Sequence, residues 1–197
     1  MTNTEYLWNM FTPELGEIGA AAVLGNLQAE SAMNPKNLQN SYERKLGYND
    51  ETYTQAVDSG KYTLDKFAHD SAGYGLAQWT HWSRKTSLYQ HTIAIGHSVG
   101  DLTAQGRFVL EELRSYGLTK QLQQSTDLYE ATALVLRRYE RPADQSDANC
   151  KRRTKLSQEI YDKYHSKPED KTLWIIEELD ALSERLKKLA NELRNIK

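Results

Sequence analysis

The chain has 197 residues, 39% of them hydrophobic and 26% charged, which suits one globular domain with a modest appendage and excludes disorder over most of its length. With 25 Lys and Arg against 27 Asp and Glu the net charge is -2, which gives no reason to expect the phosphate-neutralising surface of a general nucleic-acid binder, and no nucleic acid is expected as a partner. The single cysteine, Cys150, rules out an internal disulfide, and no Cys/His cluster has zinc-site spacing.

Apolar residues recur mostly at helical spacing, which predicts a mainly α fold with at most a small β element. Thr12 and Pro13 read as an N-cap and a first-turn proline. They predict a helix through the alanine-rich stretch Gly19 to Ala32, stopping at Asn34-Pro35, with Glu30 near its C-terminal end. The stretch from Leu38 to Tyr74 is rich in Tyr, Asn, Asp, Ser and Gly and weakly periodic. It predicts long loops with a short strand pair or helix, the kind of segment that carries function. Further helices are predicted over Trp82 to Ile95 and over Leu102 to Tyr116, the latter capped by Asp101. Another runs from Asp127, with Glu130 completing a capping-box-like pair, to Tyr139 and ends at Arg141-Pro142. A last one covers Asp147 to Tyr164.

After His165-Ser166-Lys167-Pro168 the composition changes. Ile175, Leu179, Leu182, Leu186, Leu189, Leu193 and Ile196 alternate spacings of four and three, a heptad seam. Two units are therefore expected, a globular domain over 1–166 and an amphipathic heptad helix over 167–197. Residues 175–196 are expected to form a homo-oligomer or to dock another protein. The alternative is a helix folded back on its own domain.

Little chemistry other than carboxylate chemistry is supported. His69, His81, His91, His97 and His165 lack metal-ligand spacing, and Gly73-Tyr74-Gly75 is not continued as a dinucleotide or phosphate loop. Cys150 sits in an ordinary helical context. No metal or organic cofactor is expected. Lys151-Arg152-Arg153, with Arg137, Arg138 and Arg141 nearby, reads as a solvated face that weakly attracts an anionic surface such as a bacterial wall. Glu30 is the more informative residue: a helix C-terminus and partial burial both disfavour a carboxylate anion, as a general acid requires. Taken alone, Glu30 is better explained as a surface glutamate in a salt bridge. Gly73 to Thr80 adds flexible glycines, an amide and two aromatic rings, the materials of a saccharide cleft or of a turn entering an aromatic core.

Three segments together carry a resemblance. Gly-Asn-Leu-Gln-Ala-Glu-Ser-Ala-Met-Asn-Pro (25–35), Asp-Ser-Ala-Gly-Tyr-Gly-Leu-Ala-Gln-Trp-Thr (70–80) and Arg-Tyr-Glu-Arg-Pro-Ala (138–143) occur in that order. The chain resembles the phage tail-type lysozyme family, itself similar to goose-type lysozymes and soluble lytic transglycosylases. The resemblance implies a lysozyme-like domain that cleaves the β-1,4 bond between N-acetylmuramic acid and N-acetylglucosamine of bacterial peptidoglycan. It matches Glu30 to the general acid and Asp70 to a water-positioning aspartate. Thr80 stands where goose-type enzymes have a second one, so Glu43 of the loop region, or a transglycosylase-type attack by the substrate's 6-hydroxyl, are the alternatives. Tyr74, Gln78, Trp79, Thr80 and Tyr139 are the implied substrate contacts, and Glu140 with Arg141 an ion pair bracing the cleft. A non-catalytic baseplate or wall-binding protein is the reading from a different class.

The segment from Met1 to Trp8 lacks the basic and apolar parts of a secretion signal, and no run of about 18 apolar residues could insert in a membrane. The expectation is synthesis in the host cytoplasm and delivery to the wall by a holin or as a virion component. Residues 175–196 would then join copies of the chain or engage another phage protein.

Overall fold

The computed structural model describes residues 1–94, 96–165, 178–183 and 185–187. The chain separates into two units, Met1–His165 and Ser166–Lys197. Among the described residues of the first, nine α-helices run in the order α1 (Asn3–Ser31), α2 (Asn40–Leu46), α3 (Asp50–Asp58), α4 (Leu64–His69), α5 (Trp82–Ala94), α6 (Leu102–Ser115), α7 (Thr119–Gln123), α8 (Leu128–Val135) and α9 (Asp147–Tyr164). The β content among the described residues is two isolated bridges, Leu38 with Tyr74 and Tyr74 with Trp79. The fold is mainly α, as the periodicity predicts.

α1 is the axis of this unit. It starts at Asn3, capped by Thr2, not at Thr12-Pro13, because Leu7, Trp8, Met10, Phe11 and Leu15 form an apolar stripe that is buried. The Thr12 hydroxyl turns back to donate to the Trp8 carbonyl at 2.7 Å. The break suggested by Thr12-Pro13 falls at Gly16, whose φ of 69° and ψ of 168° interrupt the helix. Beyond it every residue from Gly19 to Leu27 is buried, with α7, α8 and α9 packed around them. Such enclosure requires small side chains. A Cβ on Gly25 would stand 2.6 Å from the Ser157 nitrogen and 2.7 Å from its Cα. α1 and α9 therefore touch backbone to backbone.

Where loops are predicted between Leu38 and Tyr74, the chain forms three short helices, α2 to α4. Local caps explain them: Asn49 and Thr52 form a reciprocal capping box for α3, and Thr63 caps α4. Their aromatic residues supply a core that periodicity over so few turns does not reveal. Tyr53 lies 5.3 Å from both Tyr62 and Tyr74, and Phe67 meets Tyr74 edge-on at 5.6 Å. Among the later helices α5, α6, α8 and α9 fall where they are expected, whereas α7 is not anticipated by the sequence. Asp101 caps α6 by accepting from the Ala104 amide at 2.8 Å, and Asp127 caps α8 by accepting from the Glu130 amide at 2.9 Å. α8 does not continue as an α-helix to Tyr139 but passes into a π-helical turn, Leu136–Glu140, closed by Arg141 at φ 50°. Such turns are uncommon and concentrate at functional sites.

In the second unit, 178–183 and 185–187 are helical, and Leu179, Leu182 and Leu186 are exposed. Ile175, Leu189, Leu193 and Ile196 of the heptad seam lie outside the described residues, as does Ile95.

Gly25→Ala is expected to push α9 off α1 and to lower stability by about 1–3 kcal/mol, the usual range for overpacking. Thermal or urea unfolding measures it.

Candidate active site

Glu30 sits in the last turn of α1, and its side chain is 20% exposed. It opens into a cleft of about 510 Å³, lined also by Gln78, Thr80, His81, Arg84 and Glu140. Arg153 of α9 holds it from behind, donating from Nη2 to Oε1 at 2.5 Å. Asn26, one turn earlier on α1, fixes the same guanidinium by accepting from Nη1 at 3.2 Å. Arg153 is buried, whereas Lys151 and Arg152 beside it are exposed. The basic run is thus divided: Lys151 and Arg152 are exposed, as expected of a solvated face, and Arg153 is buried against Glu30.

The opposite wall is the Gly73–Trp79 hairpin. Tyr74 and Trp79 exchange both backbone hydrogen bonds, at 3.2 and 3.0 Å. Gly75, at φ 74°, makes the turn, and a Cβ there would stand 2.6 Å from Gln105 Oε1. The geometry sends Tyr74 and Trp79 inward; both are fully buried, as is Tyr139. These three candidate contacts are core residues, because each spends its polar atom on the interior. The Tyr74 hydroxyl bonds Thr54 at 2.7 Å, and the Trp79 indole and the Tyr139 hydroxyl each donate to Glu112 Oε2 at 2.8 Å. Arg84 completes the set around buried Glu112 with two parallel bonds of 2.7 Å. Gln78 and Thr80 do line the cleft. The Gln78 amide is aimed by donating to Asn37 Oδ1 at 2.8 Å. The exposed aromatic ring nearby is Trp82, 54% exposed and stacked on His69.

Asp70 is not at the cleft. Its side chain is 3% exposed and that of Lys85 is not exposed at all; the two pair at 2.6 Å. Asp70 Oδ1 also accepts from the Ala72 amide at 2.9 Å, and Oδ2 accepts from Tyr53 and, at 3.4 Å, from Tyr62. Burial, then the Asp70 charge, pushes the Tyr62 phenol up to about 12. Burial pulls the Lys85 ammonium down, and the Asp70 charge opposes it. Every oxygen of Asp70 is occupied, which makes it a lock between α4 and α5. Glu43, in α2, is not among the cleft-lining residues either.

Glu140 is the second carboxyl facing the cleft. It ends the π-helical turn, which brings Tyr139 into the core while Glu140 borders the opening. It forms no ion pair with Arg141: the Arg141 Nε donates to the Arg138 carbonyl at 3.1 Å, and its guanidinium lies over the Tyr116 ring. Glu140 Oε1 is sealed from solvent without a hydrogen-bonding partner. Burial, then repulsion from Glu30, pushes the Glu140 carboxyl well above the ordinary range, against the pull of Arg84 and Arg153.

Of the residues nominated from sequence, the structure brings Glu30, Gln78 and Thr80 together. Arg153 was legible in principle. Cys150, Arg153, Ser157, Ile160 and Tyr164 are the buried stripe of α9, so this arginine occupies a core position of the helix.

The family model for phage tail lysozyme matches residues 2–164, and the chain belongs to that family. Its first unit is a lysozyme-like, mainly α domain, and its general function is that of a phage peptidoglycan-degrading protein. Neither the curated proteins nor the solved structures yield a match. Among the described residues no helix is long and apolar enough to cross a membrane.

Asp70→Asn is expected to lower stability by about 3–5 kcal/mol by stranding the Lys85 charge, and to leave lytic activity per folded molecule within a few-fold of the parent. Unfolding and turbidity assays on the same preparation separate the two effects.

Proposed function

We propose that the chain hydrolyses the β-1,4 bond between N-acetylmuramic acid and N-acetylglucosamine, with Glu30 as the acid that protonates the glycosidic oxygen. The observation that carries this reading is the Glu30 carboxylate opening into the cleft between α1 and the Gly73–Trp79 hairpin. Gln78 and Thr80 supply an amide and a hydroxyl for sugar hydroxyl or N-acetyl groups. The exposed Trp82 indole offers a flat face to a sugar ring beside His81. The cleft is open, as an enzyme acting within a long polymer requires. The reaction uses no metal or organic cofactor. The chain would serve as an endolysin released through a holin or as a lysin carried on the virion.

The test is mass spectrometry of soluble fragments from purified peptidoglycan treated with the parent and with Glu30→Gln. The expected outcome is muropeptides with reducing ends from the parent and a loss of about 10²-fold or more in the variant. Anhydromuramic ends would assign a lytic transglycosylase instead. No fragments from several wall types would move the chain to a baseplate or wall-binding role.

The heptad segment over 167–197 is read as the means by which several such domains are joined or docked to another phage protein. The exposed Leu179, Leu182 and Leu186 support it. Joined domains would gain avidity on a repetitive wall. Sedimentation is expected to give an oligomer for the intact chain and a monomer after Leu182→Glu and Leu186→Glu; a monomeric intact chain at micromolar concentration removes this reading.

A further inference from the structure

We infer that Gln39 and Gln78 together recognise a secondary amide on the glycan, the acetamido group of its sugars, so that wall glycan stripped of its acetyl groups is a poor substrate. This rests on the hydrolase reading above, which supplies the polymer.

Both glutamines are half-buried and line the cleft with Glu30, and each side-chain amide is fixed by one end. Gln39 directly precedes α2, and its side chain does not cap that helix. Its Oε1 instead accepts from the Gly73 amide at 3.0 Å, while its backbone amide donates to the Gly73 carbonyl at 2.9 Å. Gln78 is fixed by the opposite end. Its Nε2 donates among three oxygens: Asn37 Oδ1 at 2.8 Å, the Asn37 carbonyl at 3.0 Å and the Gly75 carbonyl at 3.2 Å. Neither amide can be turned over. Turning Gln39 would set an amino group against the Gly73 N–H, and turning Gln78 would set a carbonyl against three oxygens. Among the described residues no acceptor reaches Gln39 Nε2 and no donor reaches Gln78 Oε1, and neither atom is sealed from solvent.

The two amides lie against Gly73. A Cβ there would stand 2.7 Å from Gln78 Oε1 and 3.4 Å from Gln39 Oε1, so the bare Cα is what admits both. Gln78 is also held at φ 45°, in the left-handed region where glycine is the unstrained residue. The cleft thus presents one free carbonyl and one free amino group, both neutral and both aimed by the backbone. Their complement is a group with one N–H and one C=O. An acetamido substituent has both: its N–H donates to Gln78 Oε1 and its carbonyl accepts from Gln39 Nε2. Without the acetyl group the substituent is an ammonium, which offers Gln39 no acceptor and meets the hydrogens of Nε2 with charge of the same sign.

The experiment compares fragment release from N-acetylated and chemically N-deacetylated peptidoglycan at about pH 6, where the freed amine is protonated, for the parent, Gln39→Glu and Gln39→Met. Gln39→Glu keeps an oxygen for the Gly73 amide and replaces the free amino group by an acceptor; Gln39→Met removes both. The parent is expected to favour the acetylated wall by about 10-fold or more. Gln39→Glu is expected to reverse that preference and Gln39→Met to flatten it. The preference is a ratio, from which a general loss of activity cancels, so a purely structural role leaves it unchanged. An equal ratio in all three proteins, or a parent that cuts both walls alike, overturns the inference. The amide that joins the stem peptide to the glycan has the same chemistry, and strands freed of stem peptides by an amidase separate the two. A ratio that persists on those strands supports the acetamido group, and one that vanishes overturns it. A parent that releases nothing from any wall removes the hydrolase reading. Calorimetric titration of the same three intact proteins with oligomers of N-acetylglucosamine and of glucosamine then decides the amide recognition by the same ratio.

Discussion

The approach of α1 to α9 at Gly25 and Ser157 sets the position of almost everything that matters in the cleft. Because the two backbones touch there, Arg153, one turn earlier than Ser157 on α9, comes within reach of Asn26 and Glu30. A larger residue at position 25 would separate the helices and carry the guanidinium away. The alanine-rich composition of α1 is thus a condition for the cleft's electrostatics as well as for packing. Glu30 lies in the last turn of α1, and the buried Arg153 guanidinium fixes its carboxylate's direction.

A second dependence runs through Glu112. It is an α6 residue that does not border the main cleft, yet it receives hydrogen bonds from the hairpin through Trp79, from the π-helical turn through Tyr139 and from α5 through Arg84. One buried carboxylate therefore sets three walls of the cleft in register. Lys85 and Asp70 do similar work at the next residue of α5, tying it to α4 and to Tyr53 of α3. α5 carries both cations on neighbouring residues, one bordering the cleft and one sunk in the aromatic cluster.

Most helices were legible because their caps are local. Asp101, Asp127 and the stops near Tyr116 and Tyr164 can be read from a few residues, and the structure places those helix ends there within a residue. What was not legible depends on distant partners. Thr12-Pro13 carries the chemistry of a helix start, but the burial of Leu7 to Leu15 outweighs it. The helices between Leu38 and Tyr74 are too short for periodicity, and their stability comes from an aromatic cluster assembled across them. At the site, the Glu30 motif led to the cleft, whereas rings nominated as sugar platforms lie inside. Amino-acid type cannot tell a platform from a core ring; the direction of the hairpin decides it. Asp70 misled for the same reason, since its sequence position fits a cleft residue while Lys85, fifteen residues later, draws it into the interior.

The buried acids of this domain divide by what surrounds them. Asp70 and Glu112 have their oxygens filled by donors and each has a cation, so their charge is compensated and their role is to hold elements together. Glu140 is half-buried at the cleft, with one oxygen sealed without a donor, while Arg153 and Arg84 are bound to Glu30 and Glu112. A fold selected for stability alone has no reason to keep an acid there, because a neutral residue of the same shape avoids the cost of burial. The π-helical turn that aims Glu140 at the cleft is a second local departure from the cheapest structure at the same residue. Both departures fall on a residue that lines the same cleft as Glu30, which ties them to the chemistry of the cleft more economically than to packing.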